Sequence, residues 1–155
     1  MRFRRLVAFH EAGRLVVAWD AGLRLPRVSI YPDEHTRGSV LVDQDFPAGV
    51  SENDRRRQHV YLRLLASGPL AVVMAGGKVP VDPQVGIEID THRMAVFARR
   101  AGLDIDAVFR ETATRLAYLW EPVEALVDLL LMRETVSGAL AARVIRAAHP
   151  GPALE

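Results

Sequence analysis

Hydrophobic and polar positions along the chain follow a helical period for most of its length. Over residues 4–19, Leu6, Phe9, His10, Gly13, Val16 and Val17 recur at three- and four-residue spacing, which predicts a first helix with one inward face. His10 lies on that apolar side. Gly22, Leu23 and Pro26 break the pattern, and Val28-Ser29-Ile30-Tyr31 and Ser39-Val40-Leu41-Val42 then alternate as two short strands. The turn-rich residues from Pro32 to Gly38 between them predict a small hairpin.

Ser51-Glu52-Asn53-Asp54 has capping-box spacing and should open the next helix, whose inward face is Val60, Leu64, Leu65 and Ala71. Gly68-Pro69 should kink or break that helix, and Gly76-Gly77 should end it. Residues 78–86, with Pro80, Pro83 and Gly86, read as a loop. A helical pattern resumes from Glu88 to Arg100, with Ile87, Asp90, Met94, Phe97 and Ala101 on one face, so a carboxylate sits in an apolar stripe. Asp104 or Asp106 starts a helix reaching about Trp120. Pro122 suits the first turn of another that runs to about Arg133, and Thr135 to Ala148 forms the last. With no internal repeat or linker, the expectation is a mainly α fold with a small β-hairpin, one domain over residues 1–155.

Composition narrows the classes. Half of the 155 residues are hydrophobic and a quarter are charged, which suits a chain able to bury a core. A net charge of +1 gives no bulk electrostatic reason to expect nucleic acid or a membrane as partner. Cysteine is absent, which removes disulfides, thiolate ligands and cysteine nucleophiles and agrees with a reducing, cytoplasmic setting. The densest apolar run, Leu126 to Met132, holds Asp128 and is too short to span a bilayer.

The chemistry concentrates in the first helix. Two histidines four apart on a helix point the same way, so His-Glu-x-x-His can hold zinc from one turn while the glutamate takes a proton from the metal-bound water. His10 and Glu11 fill two of these roles, but the next ligand position is Arg14. A guanidinium has no lone pair to offer and stays protonated, so it repels a dication.

The stretch V-A-F-H-E-A-G-R-L-V-V-A-W, residues 7–19, resembles the active-site helix of the M41 peptidases, the protease domains of FtsH-type AAA+ proteases, which read His-Glu-Ala-Gly-His there. The resemblance continues through V-S-I-Y-P and R-G-S-V-L (37–41), L-L-A-S-G-P-L-A-V-V-M-A-G-G (64–77) and D-T-H-R-M-A-V-F-A-R-R (90–100), and into the last two helices around L-L-L-M-R-E-T-V-S-G. It implies that His10 stands at the first zinc-ligand position, Glu11 at the catalytic base and Asp90 at the third ligand, with Arg14 replacing the second ligand. It explains an inward Asp90 by an interior metal site. The expectation is a stand-alone, degenerate FtsH-like domain, a non-catalytic pseudo-peptidase that binds a peptide or protein partner, with no resident cofactor. The alternative is a working zinc metallopeptidase using His10, Asp90 and an unusual third ligand.

Arg14 is expected to fill the space of the metal and to pair with Asp90, with Glu11 as the competing partner. His35 is the only histidine placed to rescue the missing ligand; His92 points away from the site, and His59 and His149 read as exposed. Ala75-Gly76-Gly77-Lys78-Val79 is not a phosphate-binding loop, because Lys78 lacks a following Ser or Thr and position 72 is Val, so no ATP site is expected. The basic run Arg55-Arg56-Arg57 reads as a solvated helix face, without the interleaved aromatics of a nucleic-acid surface. Homo-oligomerisation stays open.

Overall fold

The computed structural model of the chain describes residues 2–30, 52–77 and 87–149, with the side chains of 52, 53, 87–91 and 93 left out. Six helices and two short strands occur among the described residues: α1 (Phe3–Asp20), β1 (Val28–Ser29), α2 (Glu52–Met74), α3 (Ile87–Ala101), α4 (Ile105–Tyr118), α5 (Trp120–Arg133), β2 (Thr135–Val136) and α6 (Gly138–Ala148). The fold is mainly α with a small antiparallel β element, as the patterning implies.

Helix α1 is the axis of the molecule. Every residue from Ala8 to Ala18 is buried, so the helix is covered all round rather than on one stripe. Helices α2 and α5 form its principal walls, and α4 and α6 touch it more lightly. Phe9 stacks on Trp120 of α5 with ring centroids 5.8 Å apart. This total enclosure makes Glu11 and Arg14 interior residues, although the sequence alone leaves Glu11 free to be a surface acid.

Where α1 and α2 cross, small residues let the backbones meet. A Cβ on Gly13 would lie 2.5 Å from Ala71 Cβ and 2.8 Å from the Ser67 carbonyl oxygen, so no side chain fits between the helices. The expected kink or break at Gly68-Pro69 is not a break, for α2 runs without interruption from Glu52 to Met74 with Pro69 inside it. Burial of that stretch against α1 offsets the hydrogen bond that proline removes. The C-terminus follows expectation: Gly76 takes φ +80°, and the N–H groups of Gly76 and Gly77 donate to Val73 O and Val72 O, each at 3.0 Å. That pair of bonds closes the helix in a Schellman motif.

A second, smaller core lies between α2, α3 and α4, built from Leu62, Leu65, Ala66, Met94, Ala98 and Val108. Helix α4 is capped by Asp104, whose Oδ1 accepts from the N–H groups of Asp106 (3.0 Å) and Ala107 (3.2 Å). Of the two expected starts, Asp104 is therefore the cap and Asp106 a first-turn acid favoured by the helix dipole.

The strand at Val28–Ser29 forms where the alternation predicts it, but it pairs across the fold. Val28 lies opposite Val136 and Ser29 opposite Thr135, antiparallel, and Ile30 N–H donates to Glu134 O at 2.9 Å. The last helix consequently begins later than expected, at Gly138 rather than Thr135, with Ser137 Oγ accepting from Leu140 N–H at 3.2 Å. The expected strand at 39–42, its turn, and the capping-box serine lie outside the described residues.

Candidate functional site

The middle of α1 places three ionisable side chains inside the protein. His10, Glu11 and Arg14 are 1%, 3% and 6% exposed. His10 and Arg14 share the same side of the helix one turn apart, as i and i+4 positions must. His10 Nδ1 lies 3.1 Å from Glu11 Oε1. A carboxylate can only accept, so Nδ1 carries the proton and donates.

Helix α2 shapes the other side of the ring. A Cβ on Gly68 would fall 2.4 Å from His10 Nε2, 2.6 Å from Cδ2 and 2.8 Å from Cε1. Three nearly equal distances put that point over the face of the ring, not along the Nε2 lone pair. Gly68 thus lets α2 lie flat on the imidazole, and any larger residue would have to displace it. The second oxygen of Glu11, Oε2, is buried and accepts no hydrogen bond among the described residues. A carboxylate oxygen left in that condition costs about 1–3 kcal/mol.

Among the described residues, no three His, Asp or Glu side chains come together to hold a metal. His10 and Glu11 are neighbours in sequence that already bond to each other, and a permanent guanidinium stands one turn away. Asp90 lies in the first turn of α3, a helix that packs chiefly on α2. Its side chain falls outside the described residues, as does all of His35, so the expected Arg14–Asp90 pair and the His35 rescue cannot be placed.

The other described histidines are elsewhere. His92 is exposed on α3. His59 and His149 are half-buried rather than exposed. His59 Nε2 lies 2.9 Å from Glu111 Oε2, joining α2 to α4. His149 meets the edge of Tyr118, with centroids 4.7 Å apart. Both are held by packing that arises only when distant helices meet.

A further polar cluster, at the C-terminal end of α1, is not foreshadowed by any sequence pattern. Asp20 Oδ2 accepts from Arg115 Nε at 3.0 Å and from Arg63 Nη2 at 3.3 Å, while Oδ1 accepts from Arg115 Nη2. Burial pushes the Asp20 carboxyl up, but the hydrogen bonds and positive charges of Arg115 and then Arg63 outweigh it and hold it below its ordinary value. The Arg115 guanidinium is raised in turn by its hydrogen bond to Asp20. Bidentate pairing of this kind ties α1, α2 and α4 together. The sequence signals that could be found are the short residues: Gly68 is visible as a glycine inside a helical pattern, although nothing local assigns it to His10.

Compared with known proteins, the chain matches no family model and no curated protein.

Proposed function

We propose that this protein is a degenerate FtsH-like (M41) peptidase domain, a non-catalytic pseudo-peptidase that binds a peptide or protein partner in the cytoplasm. The resemblance of residues 7–19 and 90–100 to the family's two ligand-bearing helices supports the family, and the burial of His10 and Glu11 suits an interior site. The observation that carries the loss of activity is Arg14, 6% exposed and one turn from His10, where the resemblance calls for the second ligand. A fixed interior cation there opposes a dication and supplies no donor. Asp90, the third ligand position by resemblance, is its intended counter-ion. No ATP site is part of this reading, since the glycines at 76–77 serve to end α2.

The working-peptidase reading keeps one point in its favour, the contact of His10 Nδ1 with Glu11 Oε1, because a metal-binding histidine is commonly oriented through its other ring nitrogen. Metal content by elemental mass spectrometry, after equilibration with zinc and desalting, separates the two. The wild-type protein is expected to retain no stoichiometric zinc, and the Arg14→His variant to gain it. About one zinc per wild-type chain, with cleavage of an unfolded protein substrate lost in Glu11→Gln, would establish the active peptidase instead.

A further inference from the structure

We propose that the pole of the molecule where α1 begins and where α2 and α5 end docks on an anionic lipid surface. Two sets of contacts bring these three helix ends together. Arg4 donates to Leu131 O at 3.0 Å and pairs with Glu134 at 2.7 Å, placing the start of α1 beside the end of α5. Leu6 lies against Gly77, where a Cβ would come within 2.8 Å of Leu6 Cδ2, placing it beside the end of α2.

The convergence gathers most of the exposed apolar bulk at one place. Phe3 (43% exposed), Val73 (50%), Met74 (37%) and Met132 (74%) all belong to these three ends. The fifth large exposed hydrophobic among the described residues, Tyr118, is accounted for by Arg115 over its ring and His149 at its edge. Arg2, Arg4, Arg5 and Arg133 on the α1 and α5 ends are exposed, and Glu134 pairs with Arg4 there.

The first turn of α1 sharpens the point. It has no acidic residue, and Arg2 at the N-cap makes no side-chain capping bond. Three arginines therefore stand at the positive end of the helix dipole, where each is unfavourable for the helix. Arg4 is offset by its bonds to Leu131 O and Glu134, and Arg5 by the Phe9 ring beneath it, whereas an anionic surface would favour all three. A second copy docked face to face would oppose the same cations. An acidic protein groove suits a continuous apolar face, whereas these exposed side chains belong to three separate helix ends ringed by arginines.

The test is flotation of the purified protein with vesicles of phosphatidylcholine and phosphatidylglycerol, against vesicles of phosphatidylcholine alone. Binding is expected only to the anionic vesicles and is reversed by high salt. Phe3→Ser should weaken it roughly tenfold, and Arg133→Glu by at least about fivefold; both positions are exposed, and circular dichroism confirms that the variants fold. Absence of flotation, or flotation unchanged in Phe3→Ser, overturns the proposal. So does a concentration-dependent dimer abolished by Phe3→Ser, which assigns the pole to a second copy. Binding of polyglutamate without binding of vesicles assigns it to an acidic protein and likewise overturns it.

Discussion

Helix α1 carries two polar clusters, a buried one at its middle and a part-buried one at its C-terminal end, and they are built on different terms. At the end, both Asp20 oxygens are met by Arg63 and Arg115, and the cluster clamps three helices. At the middle, Glu11 spends one oxygen on the neighbouring His10 and leaves the other unmet among the described residues. The end cluster also touches solvent, with the Arg115 side chain 39% exposed, while the middle is sealed. Bonds that meet both carboxylate oxygens from distant elements describe a structural clamp, even with Arg63 Nε unmet among the described residues. A sealed carboxylate with one oxygen unmet among the described residues serves stability poorly.

The largest expected effect separates the two regions by packing. Gly13→Val forces side-chain atoms into the Ser67 carbonyl and Ala71, neither of which can swing aside as a long side chain does. Replacing helical glycine restores a few tenths of a kcal/mol of propensity, but overpacking against backbone should dominate and cost about 3 kcal/mol. Urea denaturation should show a lower midpoint with little change in slope. A neutral result would mean that the α1–α2 crossing is looser than the structure has it, and with it the seat of His10.

The end cluster should answer to charge. Asp20→Asn removes the carboxylate that two guanidinium groups share. Full loss of a buried pair costs several kcal/mol, but Arg115 is partly solvated, so about 2 kcal/mol is expected. The pH dependence has a definite sign. Asp20 is held below its ordinary 3.8 in the folded protein, so its contribution is complete above that pH and is lost as pH falls through the lower folded value. Wild type should therefore lose its advantage over Asp20→Asn on acidification below about pH 4. A gap between the two proteins that persists unchanged to pH 2 would show that the clamp does not titrate as its geometry requires.

How much of this was legible beforehand follows from the range of the interactions. Helices α1, α3 and α5 are written in local periodicity, and Gly76 and Asp104 punctuate the chain by chemistry that acts within a turn. The placement of His10 on an inward face was equally local. What was not legible is what comes from afar: β1 pairs with residues 135–136, and Asp20 is met by residues 43 and 95 positions onward. The continuity of α2 through Pro69 belongs to the same class, since only the presence of α1 makes an unbroken helix worthwhile there. Glu11 illustrates the limit well. Periodicity on one face left it free to be a surface acid, and only enclosure by helices on several sides brings it inside.

The smallest expected effect is also the sharpest discriminator between the clusters. Glu11→Gln keeps an acceptor for His10 Nδ1 and removes a buried charge whose second oxygen finds no donor among the described residues. The loss of one charge-assisted bond is worth about 1.5–3 kcal/mol, and removal of a buried carboxylate charge returns a comparable few kcal/mol, while the amide NH2 takes the place of Oε2 as the unmet group. These nearly cancel, so a change of at most about 1 kcal/mol in unfolding free energy is expected, below that of Asp20→Asn. Ordering the two variants in the same urea titration removes most systematic error. If Glu11→Gln proves the more damaging, Glu11 is a structural clamp in its own right, and the contrast between the middle and the end of α1 collapses. If it is neutral, the carboxylate is present for chemistry or ancestry rather than for folding, which is what a disabled peptidase helix should preserve.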